Sequence, residues 1–378
     1  MTTPTITIDA GAHERRNCPI EFSLPTGITA GSWRLVGNNG ASLSIQVDPD
    51  GRARGVVPHL PSNTSLSFRM EPGRADDSSS GVAVENREGA LTISVGGEIV
   101  TRYVYADVPA RPYFHPVHAP GQVPVTRAYP MIPDADGETR DHPHHRSLWI
   151  AFGEVNGADN WSEAEGHACT RHVRFDSIAN GSEAGSFSAH SRWETTEGDP
   201  LLTERLQVVA WSAGTDIRLL DFAIALEASH GDVHFGDTKE GGILSIRVAS
   251  ELDVQRTGRI TNVYGGVDES ETWGKASHWC DYSGTVGGLP VGIAVFDHPD
   301  SFRYPTHWHV RNYGLMTANP FGYSAYTNGR KDGSHTLRSG DTLFFRYRVA
   351  LHRDSCEQAQ VNAHYLNFVA PPRVVINS

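Results

Sequence analysis

The chain has 378 residues, which is more than one hydrophobic core usually serves, so we expect one large domain and one smaller domain. Asp and Glu number 44 against 32 Lys and Arg, a formal net charge of −12 with no basic block, which excludes nucleic acid as a partner. The sequence shows neither a leader of signal type nor a run of about twenty apolar residues, so we predict a cytoplasmic protein with no membrane association.

Apolar residues alternate along most of the chain, as they do in half-buried β-strands. Residues 43–47 alternate up to the turn sequence Asp-Pro-Asp-Gly, and residues 91–95 alternate up to Gly-Gly. Residues 343–351 keep one face apolar, as in a sheet that is covered on one side. Between residues 217 and 226 the alternation slips by one position near Leu220, which predicts a β-bulge.

Polar, small and turn-forming residues at 74–81 lie between two strand-rich regions and mark a linker. We therefore predict an all-β protein with a small N-terminal immunoglobulin-like β-sandwich domain at 1–73. Residues 82–378 are predicted to form a large antiparallel β-sandwich of jelly-roll or supersandwich type, which carries the chemistry. Its C-terminal part contains the one convincing helix, because Asp354 and Glu357 fit a capping box and apolar residues then recur at helical spacing.

The most informative segment is 141–149, Asp-His-Pro-His-His-Arg-Ser-Leu-Trp, which places three imidazoles and a guanidinium in nine positions. A buried histidine needs partners for both ring nitrogens, and crowded imidazoles disfavour each other's protonation. Such a cluster therefore suits a metal, a proton transfer or a polar ligand. In an extended segment His142 and His144 point to one side and His145 to the other, so at most two share a ligand unless the loop turns.

Three further segments carry polar groups that a core would not choose. Residues 111–127 hold histidines and an arginine among prolines that restrict the backbone. Residues 234–242 place three ionisable groups beside glycines, and residues 304–312 place two histidines and an arginine on one strand face. Turns and strand ends of a β-sandwich gather around one cleft, so these segments are predicted to meet.

Each segment also has a purely structural interpretation. A His-x-His pair on a strand is about as often a cross-strand hydrogen-bonded pair as a metal pair. The acidic and basic residues at 237–240, taken alone, are more typical of a turn with ion pairing. Single tryptophans are more often core than ligand platform. The accumulation of all four segments in one domain favours a functional site.

Four strings in this order resemble a bacterial family labelled PmoA-like or methane oxygenase: RPYFHPVHAPGQVPVTR, DHPHHRSLW, GDTKEGG and FDHPDSFRYPTHWHVRNYGLMTANPFG. The resemblance spans roughly residues 85–370. The methane oxygenase label does not fit this chain, because a methane monooxygenase subunit would be an integral membrane protein. The resemblance implies a fold similar to carbohydrate-active β-sandwiches and a place beside sugar oxidoreductases, and hence a role in sugar catabolism.

We predict an enzyme that cleaves or rearranges a sugar or an oxidised (keto) glycoside, as a lyase or hydrolase would. A histidine would remove a proton beside the keto group, while Lys239, Arg311 or a divalent metal stabilises the enolate and the aglycone is eliminated. The predicted catalytic residues are His115, His142, His144, His145, Asp237, Lys239, Glu240, His307 and His309. The predicted substrate-binding residues are Arg127, Arg146, Trp149, Trp161, Trp273, Arg311 and Asn312.

Two alternatives remain open. In the first, His142, His144 and one of the histidines at 115, 307 or 309 bind iron, copper or zinc in an oxygenase or metallohydrolase. The expected cofactor is then one divalent ion at His142 and His144, and no nucleotide. In the second, the protein only binds carbohydrate, although groups that titrate near neutrality argue against this. The partner in each case is a small sugar or glycoside, and a homo-oligomer is left open.

Overall fold

The computed structural model describes residues 4–38, 40–73 and 81–377, so the predicted linker at 74–81 lies, except for Gly81, outside the described residues. The strands of the first part are β1 Thr5–Asp9, β2 Arg15–Ser23, β3 Gly31–Gly37, β4 Ser42–Val47, β5 Arg52–Leu60 and β6 Ser65–Pro72. They are followed by β7 Val82–Arg87, β8 Ala90–Val95, β9 Glu98–Val104, β10 Tyr113–Ala119, β11 Val123–Pro124, β12 Leu148–Val155, β13 Ala158–Asn160, β14 Cys169–Ala179, β15 Ala184–Glu194, β16 Pro200–Trp211 and β17 Ile217–Glu227.

The remaining strands are β18 Val233–Phe235, β19 Gly241–Arg247, β20 Arg259–Asn262, β21 Trp279–Val286, β22 Leu289–Asp297, β23 His307–Arg311, β24 Leu315–Asn319, β25 His335–Leu337, β26 Thr342–Arg353 and β27 Arg373–Asn377. Three short helices accompany them: α1 Asp268–Thr272, α2 Tyr323–Tyr326 and α3 Val361–Val369. The predicted all-β fold is confirmed. None of the helices in the described ranges has the length and apolar character that crossing a membrane requires.

The first six strands and the last one form an antiparallel sheet of seven strands with its own core. Its order is β2-β5-β4-β3-β6-β1-β27, so the last strand of the chain pairs with the first. Alternate residues such as Ile6, Ile8 and Ile45 supply the core of this sheet, as the alternating sequence pattern predicts. The N-terminal part is therefore joined to the C-terminus by main-chain hydrogen bonds.

Two large antiparallel sheets face each other in the rest of the chain. One follows the order β23-β24-β19-β12-β10-β9-β8-β7, and the other follows β14-β15-β16-β17-β26-β22-β21-β20. Apolar side chains of both sheets, such as Phe114, Ile150, Phe222 and Val349, form the main core between them. The outer face of the second sheet is covered by α3 and the N-terminal sheet, which form a second core that includes Val56 and Phe368.

Two sequence-based details need correction. No bulge interrupts β17 near Leu220, because its register with β16 and β26 is continuous. Leu219 and Leu220 are both apolar since this sheet is buried on both faces, with Leu219 in the second core and Leu220 in the main core. The C-terminal helix exists but begins only at Val361, after a left-handed residue at Gln360, and no side chain caps it.

The outer face of the first sheet carries a row of mostly polar or aromatic side chains in register. Tyr113 of β10 lies opposite Trp149 of β12, which lies opposite Ser245 of β19, then Thr317 of β24 and His309 of β23. Their neighbours in sequence point into the main core. The alternation of residues thus gives the first sheet an apolar inner face and an outer face that carries polar and aromatic side chains.

Gly242 of β19 marks the tightest approach on this outer face. A Cβ at this position would lie 1.5 Å from the Thr317 hydroxyl oxygen, which also contacts the Ser245 hydroxyl at 2.8 Å. We expect Gly242→Ala to lower the free energy of unfolding by about 1–3 kcal/mol, because the added carbon overpacks the strand pair. Urea denaturation measures the change. The double variant Gly242→Ala/Thr317→Ala should recover part of the loss, and equal stability of wild type and Gly242→Ala would contradict the close approach.

Candidate functional site

The segment 141–147 folds as a turn rather than a strand, and all three of its histidines come together. The His145 N–H donates to the His142 carbonyl at 3.0 Å, and the Ser147 N–H donates to the His145 carbonyl at 3.2 Å. The ring centroid of His144 lies 5.8 Å from that of His142 and 4.4 Å from that of His145. The turn, which the sequence left open, therefore lets three imidazoles share one site.

Four aromatic rings, which we name the ring stack, lie nearly parallel: Tyr313, His142, His145 and Trp149. The His142 and His145 planes differ by 5° at a centroid distance of 4.7 Å, and Tyr313 lies 5.1 Å from His142. Trp149 covers the other face of His145 at 5.4 Å. Trp161 packs against Trp149 and His145, and both indoles are buried, so their faces contact rings of the protein. The stack fixes the imidazole planes before any ligand binds.

Asp141 lies beneath this stack between two arginines whose side chains are 0% exposed, Arg127 and Arg247. Arg127 Nη1 donates to Asp141 Oδ1 at 2.5 Å, and Arg247 Nη2 donates to the same oxygen at 2.8 Å. Burial by itself raises the pKa of Asp141, but the Arg247 charge and the hydrogen bonds lower it below its ordinary value. Asp141 is therefore an anion at neutral pH, and two buried cations share its single charge.

The same carboxylate orients His142. Asp141 Oδ2 lies 3.0 Å from His142 Nδ1, so this nitrogen carries the proton and Nε2 is left with a lone pair. The His142 side chain is 40% exposed, and its backbone has a φ of 39°. The turn thus holds this residue in a sparsely populated conformation at an accessible position. An oriented Asp–His pair with an open nitrogen is an arrangement suited to a general base.

His145 has the opposite tautomer. Arg247 Nη1, which can only donate, lies 3.3 Å from His145 Nδ1, so the proton of the neutral ring belongs on Nε2. Burial, followed by the neighbouring His144 and Arg247, lowers the pKa of His145 well below 6.5. Burial and the His142 and Arg111 charges likewise lower the pKa of His144 to about 4. Both rings are neutral at pH 7.

A second group, which we name the edge cluster, comprises Lys239, Glu240, Trp273, His309 and Arg311. The Trp273 indole N–H donates to His309 Nδ1 at 3.0 Å, so neutral His309 also carries its proton on Nε2. Burial lowers the pKa of His309 to about 3 despite the opposing charge of Glu240. Lys239 and Glu240 form a close ion pair.

The edge cluster and the ring stack belong to one site. Arg311 lies over the Tyr313 ring with 5.8 Å between guanidinium carbon and ring centroid. Burial raises the pKa of Glu240, but the hydrogen bond and charge of Lys239, followed by His309 and His144, lower it below its ordinary value. Glu240 thus lies close enough to His309 and His144 to connect the segments at 141–149, 239–240 and 309–313.

Two predicted binding residues serve mainly as supports. Asn312 anchors α1, because its side-chain oxygen accepts the Glu269 N–H at 3.0 Å and its own N–H donates to the Glu269 carboxylate at 2.9 Å. Arg146 holds Glu163 with two bonds of 2.6 Å and lies 5.9 Å from the centroid of the Tyr113 ring. Both contacts fix the walls of the site.

Three predicted catalytic residues lie away from the stack. Asp237 accepts the backbone N–H groups of Ser324 and Gly333 and so holds a turn. His307 stacks on Tyr326 at 5.6 Å. His115 lines a separate cavity of about 860 Å³ and has a pKa lowered to about 4, chiefly by burial. Within the ranges that the structure describes, none of the three forms a hydrogen bond or a ring contact with the histidines at 142–145.

No group of three or more His, Cys, Asp or Glu side chains within the described ranges is arranged to hold a metal ion. The pair His142 and His144, with centroids 5.8 Å apart, offers at most two imidazole ligands. Asp141 contacts His142 Nδ1, and metal-bound histidines usually have such a carboxylate at the ring nitrogen that does not bind the metal. The metal at His142 and His144 stays a prediction.

The sequence analysis missed Asp141, Arg247, Tyr313 and Glu269 as site residues. Arg247 had a usable signal, because a charged residue at the end of the largely apolar strand 241–247 must be paired if that strand is buried. Asp141 precedes the histidines directly. Tyr313 and Glu269 had no local signal.

The family model of DUF6807, a family of unknown function, matches residues 90–366. No curated protein matches the chain. Among solved structures, an alpha-galactosidase from Lactobacillus brevis is 8% identical with a TM-score of 0.30 and covers 89% of this chain, which spans 40% of that enzyme. A galactose mutarotase related enzyme from Lactobacillus acidophilus is 11% identical with a TM-score of 0.29, over 72% of this chain and 98% of that one. Likeness at this level carries no information on activity.

Proposed function

Because this chain belongs to the DUF6807 family, whose function is unknown, we propose its function from its own site: an enzyme that eliminates the aglycone from a keto glycoside. The observation that carries the proposal is the Asp141–His142 pair, which has an exposed imidazole ring. Neutral imidazole N–H donors at His145 and His309 belong to the same site. A base beside such donors is what proton abstraction next to a carbonyl requires.

The proposed reaction begins with proton transfer. His142 Nε2 removes the proton from the carbon beside the keto group, and the electron pair moves to the carbonyl oxygen to give an enolate. The N–H groups of neutral His145 and His309 and the ammonium of Lys239 are the donors available to this oxygen. Neutral imidazole donors suit this role, because they stabilise the enolate without having to lose a proton.

The enolate then collapses. The electron pair of the enolate forms a carbon–carbon double bond and expels the aglycone from the next carbon. The oxygen of the departing aglycone takes the proton from His142. Asp141 stabilises the imidazolium that exists between the two steps. A sugar substrate accords with the density of donors and acceptors and with the resemblance to a family found beside sugar oxidoreductases. Hydrolysis of an unoxidised glycoside would use the same residues, but offers no acidic C–H for His142.

The test is a turnover assay with p-nitrophenyl glycosides and their keto derivatives. We expect p-nitrophenolate release from a keto glycoside and little from its parent. In deuterium oxide, the proton beside the keto group should exchange or be lost, as seen by NMR. Release of p-nitrophenolate from the parent glycosides, but not from the keto glycosides, would show that the enzyme hydrolyses glycosides and does not eliminate the aglycone. Absence of release and exchange with every keto glycoside would overturn the proposal.

A metal-dependent reaction is the second candidate, and the Asp141 contact to His142 Nδ1 is the observation that favours it. We expect a His142→Ala/His144→Ala double variant to lose any bound iron, copper or zinc that the wild type retains. Inductively coupled plasma mass spectrometry on tag-free protein measures this. A metal retained by the double variant would exclude this pair as its ligands, and a metal at stoichiometric level in the wild type alone would favour the metal-dependent mechanism.

A further inference from the structure

Most charged side chains of the site contact a side chain of opposite charge within the protein. The two central cations, Arg127 and Arg247, are 0% exposed. Arg127 donates to Asp141 and to the carbonyls of Tyr129 and His142. The two Nη atoms of Arg247 donate to His145, Thr139 and Asp141. These guanidiniums orient the histidines and offer no accessible charge to a ligand.

The accessible cations each have a carboxylate partner of their own. Arg146 is held by Glu163 through two short bonds, and Arg311 contacts Glu269 at 3.2 Å. Lys239 is paired with Glu240, whose side chain remains 51% exposed. A ligand carboxylate or phosphate would have to displace one of these carboxylates and would meet the charge of the others.

From this pairing we infer that the site takes an uncharged polyhydroxylated ligand, and selects neutral sugars against uronates and sugar phosphates. The inference rests on the proposed function and specifies its substrate class. Hydroxyl groups can share the donors and acceptors of Glu240, Lys239 and Arg311 without breaking an ion pair. A ligand that is already anionic in water must be desolvated before it binds, and a cation that has its own carboxylate partner compensates this cost only in part. The ion-paired Arg146 and Arg311, which the sequence suggested as substrate-binding residues, thus favour hydroxyl groups over anions.

The test compares matched neutral and anionic ligands by isothermal titration calorimetry on the full chain. The pairs are methyl β-glucoside with methyl β-glucuronide, galactose with galacturonate, and glucose with glucose 6-phosphate. For the pair whose neutral member binds tightest, we expect the anionic member to bind at least about tenfold more weakly. Equal or tighter binding of the anion would overturn the inference.

Removing one carboxylate should reverse part of this selectivity. Glu269→Gln leaves the Arg311 charge without its partner while an amide oxygen can still accept from Asn312. We expect affinity for the anionic member to rise by about fivefold, with the neutral member little changed. The matched control is Asp232→Asn. This variant removes the carboxylate partner of Arg338 in an exposed ion pair outside the site, and it should alter neither affinity. Unchanged anion affinity in Glu269→Gln would contradict the inference.

Failure of this inference and failure of the proposed function give different results. Selective binding of neutral sugars without turnover of any keto glycoside would support the inferred ligand class and overturn the proposed elimination. Turnover of a keto glycoside together with equal binding of anions would support the elimination and overturn the inferred ligand class. Binding of neither class would overturn both.

Discussion

Replacing His142 with alanine is expected to lower kcat/KM for the keto glycoside by about 10²–10⁴-fold, the usual contribution of a positioned general base. The imidazole is the exposed member of the ring stack. Asp141 contacts its Nδ1, and in the part of the chain that the structure describes no hydrogen bond competes for the lone pair of Nε2. The measurement is initial-rate kinetics of aglycone release, with binding of the neutral sugar followed in parallel.

The control for this prediction is His230→Ala, which removes an exposed histidine outside the site and should keep full activity. Thermal melting of both variants separates catalysis from folding, since loss of one stacked ring also removes packing between Tyr313 and His145. A His142→Ala enzyme that is folded, binds the sugar and retains its rate would show that another group removes the proton.

The second large effect is expected at a buried pair in the second sheet, formed by Asp281 of β21 and His352 of β26. His352 Nε2 lies 2.8 Å from Asp281 Oδ2, and the side chains are 1% and 0% exposed. Asp281→Asn should lower the free energy of unfolding at pH 6 by about 3–5 kcal/mol, because one member of a buried ion pair loses its partner. Urea denaturation gives the value. Asp134→Asn is the matched control, since Asp134 is 97% exposed and lies 3.8 Å from Arg140, and its stability should not change.

The pH dependence of this effect follows from His352. Burial lowers its pKa, but the Asp281 charge and hydrogen bonds outweigh burial and raise it above 6.5. Stabilisation by the charged imidazole is therefore complete below 6.5, the ordinary pKa, and declines as the pH rises through the folded-state pKa. The difference between wild type and Asp281→Asn should be larger at pH 6 than at pH 9. A difference that grows with pH would contradict a charged His352.

The fold was predictable to a large extent because alternation is local. Residues 43–47, 91–95 and 343–351 lie in strands as their patterns indicated. The supposed bulge near Leu220 failed for a reason beyond the strand itself. A second apolar layer, formed by α3 and the N-terminal sheet, buries the face that a free-standing sandwich would expose. Only packing reveals that a strand is covered on both sides.

The sequence by itself determined the all-β class and which side chains share one face of a strand, since successive side chains of a strand point to opposite faces. The tertiary structure alone decided the contacts and tautomers of the histidines in the candidate site. Asp141 and Arg247 are 106 positions apart, and Trp273 and His309 are 36 apart. Those contacts select the tautomers and hold His142 as the open ring. Hydrogen bonds and burial set the protonation state of a histidine, and both depend on residues that only folding brings together.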